Sequence, residues 1–158
     1  MRGKIPFLLL SVGLLGLDQL SKAVIEARLF HGQAVTVIPG FFNLVHVRNR
    51  GAIFGFLSGS DSPWIRAGLL AASLAALAFV LYFFFKTPAS EKGTLAGLSL
   101  ILAGSLGNQV SRIHPGYVVD FLDLHVGKAH WPSFNVADSC ITLGAVGLIL
   151  IFFLKRRD

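Results

Sequence analysis

The chain has 158 residues, of which 54% are hydrophobic and only 14% are charged. Soluble domains carry more charge and fewer apolar residues, so this composition excludes an ordinary soluble fold and predicts an integral membrane protein. The net charge of +6 could suggest binding to nucleic acid, but the basic residues flank apolar runs, which is typical of membrane orientation signals and argues against a nucleic-acid partner.

Four apolar segments are long enough to cross a bilayer as helices. They cover residues 5–25, 64–85, 94–110 and 136–154. Because these spans use up most of the chain, we expect a single membrane domain over residues 1–158. The fold class predicted is an all-α membrane protein with four transmembrane helices.

The first connection, residues 26–63, is too long for a turn and contains a hairpin signal. Residues 35–38 and 43–48 partly alternate between apolar and polar side chains, and Pro39-Gly40 separates them. We expect a small pair of strands there, outside the hydrocarbon. The third connection, residues 111–135, carries prolines, aspartates and histidines and is predicted to be an outer loop.

Basic residues near the predicted helix ends indicate the orientation in the membrane. By the positive-inside rule, both termini and the second connection face the cytoplasm, and the two longer connections face outward. The residues that carry this signal are Arg2, Lys4, Lys86, Lys92, Lys155, Arg156 and Arg157.

Glycines at helical spacing predict close approach of the helix backbones, because small residues allow tight packing in lipid. They occur as Gly13-x-x-Gly16, Gly93-x-x-x-Gly97 and Gly104-x-x-Gly107.

Asp18 stands inside the first predicted span, where an unpaired ionised carboxylate is costly. Lys22 follows one helical turn later on the same face. This spacing favours a structural ion pair, or a contact to a neighbouring helix, over a direct catalytic role.

Asp120 and Asp138 are the strongest candidates for chemistry. Apolar neighbours surround Asp120 and should raise its pKa by desolvation, whereas Asp138 stands at the start of the fourth helix, where the helix dipole favours a carboxylate. If the chain brings them together, their environments push in opposite directions, as general acid/base hydrolysis requires. Asp123 is a rival to Asp120, but its more polar surroundings near His125 favour a loop residue.

Other catalytic arrangements are disfavoured. The five histidines show no H-E-x-x-H pattern, and the serines lack a G-x-S-x-G context. The sequence therefore predicts no metal site and no serine nucleophile.

Five blocks of the sequence together resemble a known family, the bacterial lipoprotein signal peptidases, also called signal peptidase II. The blocks are Asp18-Gln19-Leu20-Ser21-Lys22, Asn49-Arg50-Gly51-Ala52-Ile53-Phe54, Gly104-Ser105-Leu106-Gly107-Asn108, Val118-Val119-Asp120-Phe121 and Phe134-Asn135-Val136-Ala137-Asp138-Ser139. Each block is weak alone, but their order along four spans makes the resemblance specific.

The resemblance implies an aspartic endopeptidase of the bacterial cytoplasmic membrane. It would remove the signal peptide of a prolipoprotein just before the diacylglyceryl-modified cysteine, near the outer face, as a monomer among membrane lipids and without a cofactor. Asp120 and Asp138 match the catalytic pair, and Asp18 and Lys22 match residues that support the fold. The residues that match the substrate site are Asn49, Gly51, Asn108, Arg112 and Asn135. We also expect residues 49–56 to form part of a movable cover.

One position departs from the family pattern. Where the family usually reads G-N-x-x-D-R, this chain has Ser111 in place of the aspartate, so a carboxylate partner for Arg112 or a neighbour is lost. Two other functions stay open at this stage: a proton-coupled carrier that uses the membrane acids as a relay, and a non-enzymatic membrane assembly protein.

Overall fold

The computed structural model describes residues 2–50 and 63–156, apart from the side chains of residues 63, 65, 66 and 69. The described residues form four long helices and four short strands. In chain order the elements are α1 (Ile5–Arg28), β1 (Ala34–Ile38), β2 (Phe42–Asn49), α2 (Pro63–Lys86), α3 (Lys92–Ile113), β3 (Val118–Val126), β4 (Ala129–His130) and α4 (Val136–Lys155). The protein is mostly helical, and each helix lies within a few residues of its predicted bounds.

Two helical stretches are clearly long and apolar enough to cross a membrane, Arg2–Arg28 and Val136–Lys155. In α2 the apolar stretch Leu70–Lys86 is shorter. The third helix is less apolar because it buries polar side chains such as Ser99 and Asn108 against its neighbours. By length and composition, these two helices fit membrane insertion, while the count of four spans stays a prediction.

The third helix is the centre of the helical assembly and packs against the other three helices. A Cβ atom on Gly144 of α4 would lie 2.6 Å from the carbonyl oxygen of Gly97, and one on Gly104 would overlap the carbonyl oxygen of Ala137. Only glycine allows the α3 and α4 backbones to come this close. The predicted packing role of Gly97 and Gly104 is confirmed.

The same prediction is wrong for Gly13 and Gly16. Both are exposed, and a Cβ atom on either would meet no atom of the described residues within 4 Å. These glycines lie on the outer face of α1 instead of at a helix crossing.

The small sheet is antiparallel throughout, in the order β1-β2-β3-β4. The predicted pair of strands after the first helix is confirmed as β1 and β2, and Gly40 in the turn between them has a φ of 77° that favours glycine. The prediction of a loop over residues 111–135 is wrong, because β3 and β4 lie there. The main partner of β3 is β2, from Asn49 opposite Val118 to Phe42 opposite Leu124, so two distant connections form one sheet.

A small apolar cluster fixes this sheet to the end of the first helix. Ile25 of α1 is buried with Val119 and Phe121 of β3. Asp120 stands between these two anchors in the sequence, so the packing that orders the strand also fixes the position of its carboxylate.

Candidate active site

Asn135 is the N-cap residue of α4 and holds Asp138, one of the two candidate acids of the site. Its Oδ1 accepts a hydrogen bond from the backbone N–H of Asp138 at 3.0 Å, and Asp138 Oδ2 accepts one from the backbone N–H of Asn135 at 3.2 Å. This reciprocal capping box satisfies N–H groups that have no partner within the helix. Asp138 is thereby held in the first turn of α4, as its sequence context predicted.

Asp120 lies within β3 and is almost fully buried, with 4% of its surface exposed. Asn49 Nδ2 donates to its Oδ2 at 2.9 Å, and Asn135 Nδ2 donates to its Oδ1 at 2.7 Å. Burial raises the pKa of Asp120 to about 6, since the charged form loses water; the amide hydrogen bonds oppose this shift and the charge of Asp138 adds to it. The predicted desolvation of Asp120 is confirmed.

Asn108 of α3 joins Asp138 to the ion pair of the first helix. Its Nδ2 donates to Asp138 Oδ1 at 2.7 Å, and its Oδ1 accepts from Lys22 Nζ at 3.1 Å. Because an ammonium group can only donate, the amide oxygen must face Lys22 and the amide N–H₂ group must face Asp138.

Asp120 and Asp138 are thus connected through one residue. Asn135 donates to Asp120 with its side chain and to Asp138 with its backbone, so the expected gathering of the two acids is present. The contrast between their surroundings is weaker than predicted, because Asp138 is itself half-buried.

The ion pair predicted within the first helix is present and buried. Lys22 Nζ lies 2.8 Å from Asp18 Oδ2, and the other carboxylate oxygen of Asp18 accepts from the backbone N–H of Ala137 at 2.9 Å. Asp18 therefore also connects α1 to the first turn of α4, next to Asp138. Both readings of this residue, an internal ion pair and a contact to a neighbouring helix, hold at once.

Residues 10–154 match the family model described as signal peptidase (SPase) II. A lipoprotein signal peptidase of Syntrophus aciditrophicus is 37% identical to this chain, over 100% of this chain and 99% of the relative. That of Maridesulfovibrio salexigens is 41% identical, over 94% of this chain and 95% of the relative. The chain belongs to the signal peptidase II family.

Signal peptidase II enzymes are membrane aspartic endopeptidases, and this member cleaves the signal peptides of prolipoproteins. This assignment replaces the carrier and assembly-protein alternatives.

Two solved structures described as bacterial membrane enzymes are each 32% identical to this chain, with TM-scores of 0.84 and 0.82. They cover 96% and 93% of this chain, and this chain covers 89% and 92% of theirs.

Ser111, the departure of this signal peptidase II from the family pattern, lies beside Lys22. Its hydroxyl donates to the carbonyl oxygen of Gly107 at 3.1 Å and lies 3.4 Å from the donors Lys22 Nζ and Gln19 Nε2. Arg112 is half-buried and makes no hydrogen bond or ion pair with the residues that the structure describes. A carboxylate at position 111 would therefore face Lys22.

Asp123 corrects one sequence expectation about this enzyme. It is a buried strand residue of β3, not a loop residue, and accepts hydrogen bonds from Asn43 Nδ2 and His130 Nδ1, both at 2.8 Å. Burial alone would raise its pKa, but the hydrogen bonds from Asn43 and His130 outweigh burial and lower the pKa below its ordinary value. Its carboxylate is occupied within the sheet.

Sequence reasoning gave no role to Gln19, which belongs to the support of this site. Its Nε2 donates to Asp18 Oδ2 at 2.9 Å and to the carbonyl oxygen of Gly107 at 3.0 Å. The sequence signal that could have identified Gln19 is a side-chain amide next to Asp18 within an apolar run.

Gly51 and the rest of the expected cover, up to Phe56, lie outside the described residues.

Across residues 2–50 and 63–156 there is no group of three or more histidine, cysteine, aspartate or glutamate side chains with the geometry to hold a metal ion.

Proposed function

We propose that Asp120 and Asp138 are the catalytic pair of this signal peptidase II. The observation that carries the proposal is the donation of hydrogen bonds by Asn135 to both carboxylates, 2.7 Å to Asp120 and 3.2 Å to Asp138. The residues proposed to contact the substrate are Asn49, Gly51, Asn108, Arg112 and Asn135. Asp18 and Lys22 support the pair from the first helix.

The proposed reaction uses one carboxylate as a base and the other as an acid. The ionised carboxylate takes a proton from a water molecule that attacks the scissile carbonyl carbon, while the protonated one donates to the carbonyl oxygen. The tetrahedral intermediate then collapses, the C–N bond breaks and the nitrogen receives a proton. Since two close carboxylates share one proton, their titration belongs to the pair, and no assignment to a single residue is needed.

Arg112 supplies positive charge at this site. Its guanidinium interacts electrostatically with both Asp138 and Asp120, and its N–H donors are not used by the described residues. We assign it to the substrate, where it would bind the peptide carbonyl oxygen as negative charge develops.

An apolar cavity of about 350 Å³ opens beside Asp138. Its lining residues are Trp131, Phe134, Asp138, Ser139, Thr142 and Leu143. We assign this cavity to the apolar part of the substrate next to the scissile bond, because an apolar lining that reaches a proposed catalytic carboxylate suits a lipid-modified peptide.

We also propose four spans, with both termini in the cytoplasm and the site at the outer face, in a single domain that works as a monomer among membrane lipids. Contacts between helix ends support this arrangement. Lys4 Nζ donates to the carbonyl oxygen of Phe85 at 2.7 Å, and Lys155 Nζ lies 2.7 Å from Glu91 Oε2, so basic residues gather at the end of the helices away from the sheet.

The decisive experiment is a gel-shift cleavage assay of the purified enzyme on a diacylglyceryl-modified precursor. Asp120→Asn and Asp138→Asn variants should be produced at normal levels and cleave no precursor, while EDTA should not affect the native enzyme. Cleavage by either asparagine variant would overturn the catalytic pair. Loss of activity with EDTA would call for a metal in the mechanism.

A further inference from the structure

A cluster of three side chains outside the proposed catalytic pair joins the first helix to the two central strands. The Tyr117 hydroxyl donates to Glu26 Oε1 at 2.7 Å. The guanidinium carbon of Arg48 lies 4.7 Å from the centre of the Tyr117 ring, and Arg48 Nη2 lies 3.8 Å from the same carboxylate oxygen. Glu26 belongs to α1, Arg48 belongs to β2, and Tyr117 immediately precedes β3. Three elements therefore meet at one aromatic side chain.

This cluster lies at the end of the ladder between β2 and β3, next to a residue that contacts the catalytic pair. Arg48 stands opposite Val119 in the register, and Asn49 stands opposite Val118. Asn49 is the last residue of β2, and its amide donates a 2.9 Å hydrogen bond to Asp120 Oδ2. Because the ends of elements open more easily than their middles, the position of this amide depends on what holds the end of the ladder.

We propose that Tyr117 is a positioning residue for Asn49, and that its hydrogen bond to Glu26 holds the amide of Asn49 against Asp120. The inference rests on the proposed catalytic role of Asp120. Tyr117 acts through the strand ladder, since its hydroxyl donates to the first helix and to neither carboxylate of the pair.

The hydrogen bond of Tyr117 is the strongest polar contact of the cluster. The side chains of Arg48 and Glu26 are 42% and 31% exposed, so their 3.8 Å ion pair contributes little to stability. A phenol that donates to a carboxylate makes a charge-assisted bond, which is stronger. The ring of Tyr117 also packs against the apolar cluster that fixes the sheet to α1. Removal of the hydroxyl alone therefore tests the hydrogen bond and keeps the packing of the ring.

The substitution Tyr117→Phe makes this test. In cleavage assays of the lipid-modified precursor, we expect its kcat to be about three- to tenfold below that of the native enzyme, because a displaced amide loses part of a hydrogen bond to a carboxylate. Tyr82→Phe is the matched control, since Tyr82 is the other tyrosine of the chain and is 57% exposed on α2.

The pH profile of Tyr117→Phe should change as well. Its alkaline limb should move to higher pH, because the Asn49 amide lowers the pKa of Asp120. The substitution alters none of the charged groups that act on Asp120, which are Lys22 from α1, Arg112 from α3 and Asp138 from α4. A shift of this limb therefore reports the position of the amide.

A double-mutant cycle shows whether the hydroxyl acts through Asn49. In the Asn49→Ala background, Tyr117→Phe should lower kcat by less than about twofold and leave the alkaline limb in place, because its target is gone. Glu26→Ala should reproduce Tyr117→Phe. Glu26→Gln should stay close to the native enzyme, since its amide oxygen still accepts from the hydroxyl.

Thermal unfolding in detergent identifies the folded variants, and Glu26→Ala replaces Tyr117→Phe in the cycle if the phenylalanine variant does not fold. Native kcat and an unshifted alkaline limb in a folded variant would overturn the proposal. Equal losses from Tyr117→Phe in the native and Asn49→Ala backgrounds would also overturn it, because they would report packing alone. A failure of the catalytic assignment looks different, since Asp120→Asn would then still cleave the precursor.

Discussion

The side-chain amide of Asn135 donates a 2.7 Å hydrogen bond to Asp120, which lies 15 residues earlier in the chain. The oxygen of the same amide caps the helix that carries Asp138. One side chain therefore has two tasks, orienting a buried carboxylate and starting a helix. The two tasks need different atoms and can be separated by mutation.

Substitution of Asn135 should separate stability from activity. Serine caps a helix about as well as asparagine but cannot reach Asp120, whereas alanine does neither, so Asn135→Ala should be about 1 kcal/mol less stable than Asn135→Ser. Both variants should lose roughly 10- to 100-fold in kcat, because a hydrogen bond to a carboxylate is worth about 1.5–3 kcal/mol. Thermal unfolding and precursor cleavage measure the two effects. Native activity in Asn135→Ser would show that the amide is dispensable.

The pH dependence of cleavage should reflect the raised pKa of Asp120. Because that pKa is about 6, activity should fall as the pH rises above this value, where the pair loses the proton that its acid must donate. Asn49→Ala removes a hydrogen bond that lowers this pKa, so its alkaline limb should lie at higher pH. Asn43→Ala is the matched control, since Asn43 bonds to Asp123. An alkaline limb that moves equally in both variants would contradict the assignment.

Asp123→Asn should keep most of its cleavage activity, in contrast to Asp120→Asn. The carboxylate of Asp123 is engaged with Asn43 and His130 in the sheet, and the His130 side chain is 50% exposed. One of these two donors would lose its acceptor oxygen in the buried strand, so the loss in unfolding free energy should be about 1–3 kcal/mol. Inactivity of a folded Asp123→Asn protein would make Asp123 a member of the site.

The helix crossing at Gly104 predicts a steric effect on the enzyme. Gly104→Ala would push a Cβ atom against the carbonyl oxygen of Ala137, at the turn that carries Asp138, and should cost about 1–3 kcal/mol and much of the activity. Gly147→Ala on α4 is the control, because a Cβ atom there meets no described atom within 4 Å. Equal stability of the two variants would mean that α3 and α4 can separate without cost.

Local patterns predicted the elements whose signals are local. A long apolar run identified α4, and alternation around Pro39-Gly40 identified β1 and β2. Strand β3 was not predicted because its partner strand lies far away in the sequence. Asn49 and Asp120, which are hydrogen-bonded across the two strands, are 71 positions apart. Apolar residues around an aspartate have no periodicity that separates a strand from a buried loop.

The residues of the site also divide into those that local sequence patterns predict and those that such patterns do not. The pair Asp18 and Lys22 follows from helical spacing, and the desolvation of Asp120 follows from its neighbours. The convergence of Asn49, Asn108 and Asn135 does not, because they come from a strand and two helices and only the folded backbone brings their amides together. Family resemblance was the only route to them from the sequence.

The pairing of β2 with β3 limits how the chain can thread the membrane. The two strands share a sheet, so the connections that contain them lie on one side, and the chain between Asn49 and Val118 must cross the bilayer an even number of times. Hence either both α2 and α3 cross the bilayer or neither of them does. If α1 and α4 cross once each, the two termini share the side opposite the sheet, whatever the distribution of charge.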